Sequence, residues 1–298
     1  MNIQKLSRNP RAVKALTGLQ YQEFNDLVPL FEKSLNEIRM KRPDRKRNVG
    51  GGQKGALPDI ETKLFFVLFY LKTYPTFDVL GFFFGKERSH SHEAIVLFSK
   101  ALHKTLGKKF VLPERKINSV EEFIRMFPLV KDVFLDGTER RVQRPKNKKQ
   151  QTKTYSGKKK TTTRKNIIMT DDNKRVLFLS PTKSGRRHDK RLTDKVSLVE
   201  HIPDTVGIWA DSGFQGIQHI HPNVSIPKRG SRKNPLTREE KENNHIISSV
   251  RVLVEHAIGG IKRFRSVTDV YRNRRGILDD LFMEIASGLW NYHLSYRY

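Results

Sequence analysis

The chain has 298 residues, with 58 Lys and Arg against 31 Asp and Glu, a formal net charge of +27 at pH 7; its length suits one catalytic-sized domain with one or two smaller modules. That excess of cations favours phosphate contacts through counterion release and points to DNA or RNA, although a ribosome-like structural protein or a membrane-surface binder would share it. The absence of Cys excludes disulfides and thiolate metal sites, and with no apolar run of the roughly 18 residues a spanning helix needs, neither membrane insertion nor secretion is expected.

In chain order, Leu16, Leu19, Phe24, Leu27, Leu30, Phe31, Leu35 and Ile38 recur at helical spacing, which predicts one or two amphipathic helices. From Lys41 to Gly55 the chain is basic and then Gly-rich (KRPDRKRNVGGGQKG), the mark of a flexible, phosphate-attracting connection. Pro58 and Asp59 open a helix over IETKLFFVLFYLKTYP that Pro75 ends; Thr76 caps a short helix, FDVLGFFFG, that stops at Gly85; Ser89 or Ser91 caps a third, HEAIVLFSKALHKTL. This is the pattern of a helix-turn-helix, whose last helix would present Arg88, Ser89, His90, Ser91 and His92 to a DNA groove. An ordinary three-helix packing unit gives the same pattern.

From Val130 the character changes to strands. VKDVFLDGTERRVQ is one; KNIIMTDDNKRVLFLSP reads as two runs joined at Asp171–Lys174, a hairpin without a Gly; VGIWADSGF is a buried strand that stops at an acid and a Gly turn. Between them, Arg140 to Lys165 is rich in Lys and Arg and holds no acid, so an extended basic hairpin along DNA is expected, with Lys158, Lys159, Lys160 and Lys165 as contacts. A long helix, roughly 241–264, and a closing amphipathic helix near 277–292 complete the chain.

Three acids stand in distinctive settings: Asp136 in VFLDGT, Asp211 in WADSGFQG, and Glu255 in RVLVEHAIGGIKRF. The first two are expected at the polar ends of apolar strands, where a sheet holds them rigidly while they stay open to solvent. On the long helix, Val250, Val254, Ala257 and Ile261 form an apolar stripe, and Arg251, Glu255 and Lys262 fall together at its border. Arg four residues before Glu is the weaker order for helix stabilisation, although a solvated pair would also account for it. Carboxylates from two strands and a helix can hold a pair of hard cations, Mg²⁺ or Mn²⁺.

The ordered motifs DGT, YSGKKKTTTRKN, GRRHDKRL, ADSGFQG, PLTREEKENN and RVLVEHAIGGIKRF resemble the DDE transposases of the IS5 insertion-sequence family, related to the Harbinger type. The likeness runs from about Val130 to the C-terminus, with a weaker one over 57–106; one departure is Thr162, where relatives often carry His. The resemblance implies an α/β, RNase H-like domain, a mixed five-stranded sheet flanked by helices, over 128–298. A helix-turn-helix region at 51–115 and an N-terminal helical region at 1–50 would precede it. It further implies Asp136, Asp211 and Glu255 as catalytic, metal-binding acids using Mg²⁺ (or Mn²⁺), two ions in all, to cleave and join double-stranded DNA at element ends and target. A homodimer or larger active complex, in a bacterial cytoplasm at the nucleoid, is expected with it.

Two other constellations compete. His188–Asp189 lies in a basic loop, as a pair that orients the acids or as a surface turn. His219-Ile220-His221 matches the His-hydrophobic-His signature of single-strand nucleases that attack through Tyr, with Tyr271 or Tyr292 as nucleophile, but Gly216 and Pro222 bracket it in what reads as a loop. A DNA-binding protein descended from a transposase, its acids retained without catalysis, is the non-enzymatic alternative.

Overall fold

A computed structural model of the chain describes residues 8–41, 55–273 and 277–297, so most of the basic, Gly-rich connection lies outside the described residues. Two compact units result: one comprises Met1–Leu112, Ile261–Asp269 and Asn273–Tyr298, the other Pro113–Gly260 and Val270–Arg272. Among the described residues no helix is long and apolar enough to cross a membrane.

The first unit is helical. The N-terminal helices are α1 (Pro10–Thr17) and α2 (Tyr21–Met40), broken at Gly18, whose φ of 78° is left-handed, with Gln20 and Glu23 forming a capping box on α2. Next come α3 (Ile60–Thr73), α4 (Phe77–Phe84) and α5 (Arg88–Lys108). Asp59 accepts from the Thr62 amide at 2.6 Å and Thr76 from the Val79 amide at 3.3 Å, so both caps read from sequence form. The third does not: α5 begins at Arg88 with Glu87 as N-cap, and Ser91 is fully buried inside the first turn. The cause is the close α4–α5 turn, where a Cβ on Gly81 would lie 2.2 Å from the Lys86 carbonyl oxygen and 3.3 Å from Ser91 Oγ. Phe66 packs edge-on against Phe84 and Phe98, centring the three-helix core. The closing helix, Ile277–Leu294, packs against α5 and groups with this unit.

The second unit is built on a mixed sheet. Its strands are β1 (Asp132–Arg141), β2 (Tyr155–Ser156), β3 (Thr161–Thr170), β4 (Val176–Leu179), β5 (Lys183–Ser184), β6 (Gly207–Ala210) and β7 (Val224–Ser225). β1 pairs antiparallel with β3 and parallel with β6; β3 pairs antiparallel with β4, and β6 parallel with β7. The five-strand order β4-β3-β1-β6-β7, with the two-residue β2 and β5 added to β3, is that of an RNase H-like domain. Val133, Leu135, Ile167, Met169, Ile208 and Ala210 lead its buried core, packed with Leu192, Leu198 and Phe214.

β1 and the basic hairpin differ from the sequence expectation, while the Asp171–Lys174 hairpin forms as expected. β1 does not end at Asp136: it runs on to Arg141, because β3 keeps pairing as far as Arg141↔Thr163. The hairpin at Asp171–Lys174 closes without Gly because Lys174 takes φ 65° and Asp171 accepts from the Arg175 amide at 2.8 Å. The basic hairpin is partly helical: Asn147 caps a short helix α7 (Lys148–Thr154; α6 is Val120–Met126) before β2 turns back onto β3. The helix α8 (Asp189–Asp194) follows β5, and α9 (Arg238–Lys262) opens on a reciprocal Thr237–Glu240 capping box, three residues earlier than expected.

Candidate active site and nucleic-acid groove

The placement of Asp136 and Asp211 follows from register. The last residues paired between parallel β1 and β6 are Leu135 and Ala210, so the next on each strand, Asp136 and Asp211, are neighbours across roughly 4.8 Å of sheet spacing. Each carboxylate is oriented by a nearby Gly amide: Gly137 N–H donates to Asp136 Oδ1 at 2.7 Å, and Gly213 N–H to Asp211 Oδ1. Asp211 thereby caps the 3-10 turn Ser212–Phe214.

The pair is crowded. Burial, which outweighs the Gly137 amide and the charge of Arg251, pushes the Asp136 carboxyl up to about 6, and Asp211 and Asp189 add to the rise. Such undercompensated oxygen donors suit a hard divalent cation. Among the described residues no three His, Asp or Glu side chains gather closely enough to hold an ion, so the fit rests on two carboxylates. Glu255 is exposed on α9. It stands one helical turn beyond Arg251, the residue whose charge reaches Asp136.

A groove of about 1240 Å³ in this unit is lined by Asp211, Asp189 and Glu139 and by Arg141, Arg144, Lys158, Lys160, Arg186, Arg187 and Arg229. Arg229 reaches across the Asp211 turn and donates to Ser212 O and Oγ, both at 3.0 Å. Tyr155, half exposed, is the aromatic member of the lining. Lys159 is exposed beside it, its amide 3.3 Å from Ser156 Oγ. Lys165 differs from its neighbours: it is 5% exposed, with Nζ 3.2 Å from Glu139 Oε1 and 2.9 Å from Asp189 Oδ1.

The remaining sequence-predicted residues divide. Asp189 is buried beside the acids, whereas its neighbour His188 is exposed. Of the α5 residues, Arg88, Ser89 and His90 are exposed, while Ser91 is buried and His92 packs edge-on against Phe77. Lys262, half-buried at the end of α9, falls in the helical unit. His219 lies exposed in a 3-10 turn; His221 is buried with both ring nitrogens engaged, by Pro203 O at 3.0 Å and the Asn223 amide at 3.2 Å. Neither is on a strand, so the His-hydrophobic-His geometry does not form. Sequence reasoning passed over Glu139 and Arg229. Glu139 is opposite Lys165 in the β1–β3 register, an acid and a base brought together only by strand pairing.

The model of the DDE superfamily endonucleases matches residues 135–291, and that of the helix-turn-helix of DDE superfamily endonucleases matches residues 55–108. The chain is 28% identical over 299 residues, covering 100% of both chains, to the "Probable transposase for insertion sequence element IS702" of Microchaete diplosiphon. No solved structure matches the chain.

Proposed function

The chain belongs to the DDE superfamily endonucleases, and from that premise we propose that it is a DNA transposase of the IS5 group, which cuts double-stranded DNA at element ends and joins it to a target. The observation that carries this reading is the register that makes Asp136 and Asp211 neighbours, with Asp211 on the wall of a groove rich in Arg and Lys.

In this reading Asp136 and Asp211 hold Mg²⁺ or Mn²⁺, two ions in the full site, and Glu255 is the third carboxylate. When bound, such ions activate a water or 3′-hydroxyl and stabilise the leaving oxygen of a phosphodiester. The chain's own groups do the rest. Lys158, Lys159, Lys160 and Arg229 take phosphates and hold the strand along the groove. Arg251 offsets part of the charge at Asp136. Arg88, Ser89 and His90, exposed at the start of α5, read base edges of the element end. Lys262 adds a phosphate contact, and the active complex is a homodimer or larger, since two ends must be brought together.

The direct test incubates the protein with Mg²⁺ and a plasmid carrying the DNA that flanks its gene. Nicks at terminal inverted repeats and joined target products are expected. Binding without any cleavage, in Mg²⁺ or Mn²⁺, would instead make the chain a DNA-binding descendant of a transposase.

A further inference from the structure

Lys165 belongs to the run KKKTTTRK, which in sequence reads as phosphate contacts, yet its side chain is 6% exposed and its ammonium sits between two acids. Its ammonium forms ion pairs with Glu139 Oε1 at 3.2 Å and Asp189 Oδ1 at 2.9 Å and donates a hydrogen bond to the Arg187 carbonyl at 3.2 Å. Glu139 is anchored in turn, accepting from Thr163 Oγ1 at 2.7 Å. All three side chains of this chain of charges are nearly closed to solvent, 4% for Glu139, 6% for Lys165 and 10% for Asp189.

The far end of the chain rests on two glycines. A Cβ on Gly137 would lie 2.3 Å from Asp189 Oδ1, and one on Gly213 would lie 2.8 Å from Asp189 Oδ2. Gly137 directly follows Asp136, and Gly213 is two residues beyond Asp211, so one carboxylate touches the backbone beside both acids. The amides of these same glycines donate to the Asp136 and Asp211 carboxylates. An unpaired carboxylate at this depth would be costly, and Lys165 supplies the charge that lets Asp189 stay there.

We propose that Glu139, Lys165 and Asp189 form a buried brace that fixes the spacing and orientation of Asp136 and Asp211. The three are positioning residues: they touch neither DNA nor metal and act through Gly137 and Gly213. The proposal rests on the reading of Asp136 and Asp211 as the catalytic acids and adds what holds them in place.

The test uses the full chain with Lys165→Met, Asp189→Asn and the double variant, and its first readout needs neither DNA nor metal. Amide hydrogen exchange at Gly137 and Gly213 is expected to accelerate in each single variant and no further in the double, since both remove one linkage. Mg²⁺-dependent cleavage should fall about 10–100-fold in kcat, the usual cost of losing a group that orients metal ligands. The affinity for DNA and its dependence on salt should match the wild type. A Lys165→Met protein with unchanged exchange and a salt slope reduced by about 1 would overturn the brace and make Lys165 a phosphate contact. Should Lys165→Met not fold, Glu139→Gln removes one anchor while keeping the lysine and is read the same way. If the exchange pattern holds but the wild type does not cut DNA, the brace stands and the catalytic reading falls.

Discussion

Asp136 holds its charge against its surroundings. Its carboxyl is pushed up to about 6 by burial and by Asp211 and Asp189, so in the metal-free protein the ionised form is penalised on folding. A folded-state value above the unfolded one means that stability is lost as pH rises from the ordinary aspartate range through about 6. Asp136→Asn, which removes the charge and keeps an oxygen for the Gly137 amide, should therefore raise the melting temperature at pH 7 without divalent metal. The gain should vanish near pH 4, where the native carboxyl is already protonated; thermal melts at the two pH values check it. A destabilised Asp136→Asn at pH 7 would mean that Arg251 already balances the site. Asp136 and Asp211 stand out in the sequence because an apolar strand running into Asp-Gly or Asp-Ser-Gly is unusual on so basic a chain, but that register makes them neighbours is not visible there. The burial of Lys165 was not legible because its partners, Glu139 and Asp189, meet it only through the β1–β3 register and the start of α8.

At the scale of elements, helices announced themselves well, since caps and apolar spacing are local signals. Asp59 and Thr76 cap as expected. The start of α5 was misjudged because Ser91, a good cap by type, is drawn inside by the close approach of Gly81 to the Lys86 carbonyl. The consequences are separable by mutation. Arg88→Ala should cost about 1–3 kcal/mol of binding to the element end if it reads a base edge. Ser91→Ala, whose hydroxyl is buried without a hydrogen-bond partner, should leave both binding and stability at or above the wild-type level. Gly81→Ala should destabilise the helical unit by about 1–3 kcal/mol, because its Cβ meets backbone that cannot yield cheaply. Band-shift titrations and urea melts distinguish the three. The strand region was harder: β1 continues past Asp136, and α7 interrupts the basic run, because sheet pairing and a lone Asn147 cap decide those segments rather than composition.

Over the whole molecule, a formal charge of +27 predicts a partner but not where it lies; the fold resolves part of it into a groove lined by Arg141, Arg144, Lys158, Lys160, Arg186, Arg187 and Arg229. Neutralising Lys158 and Lys160 together should weaken binding to all duplexes alike and lower the slope of log K against log salt by about 2. A loss confined to one DNA sequence would move these lysines from phosphate to base contact. The two units divide at Leu112–Pro113, ahead of the switch to strand character at Val130, and the closing helix groups with the helical unit through packing against α5 that no local pattern reveals. The claim on which the rest depends is that acids from adjacent parallel strands perform the chemistry. It is tested most directly by Mg²⁺-dependent cleavage of duplex element ends with Asp136→Asn, Asp211→Asn and Glu255→Gln, DNA binding being measured on the same samples. Each variant should bind DNA as the wild type does and lose cleavage by at least on the order of 10²–10³-fold; wild-type cleavage by Asp136→Asn or Asp211→Asn would contradict the assignment.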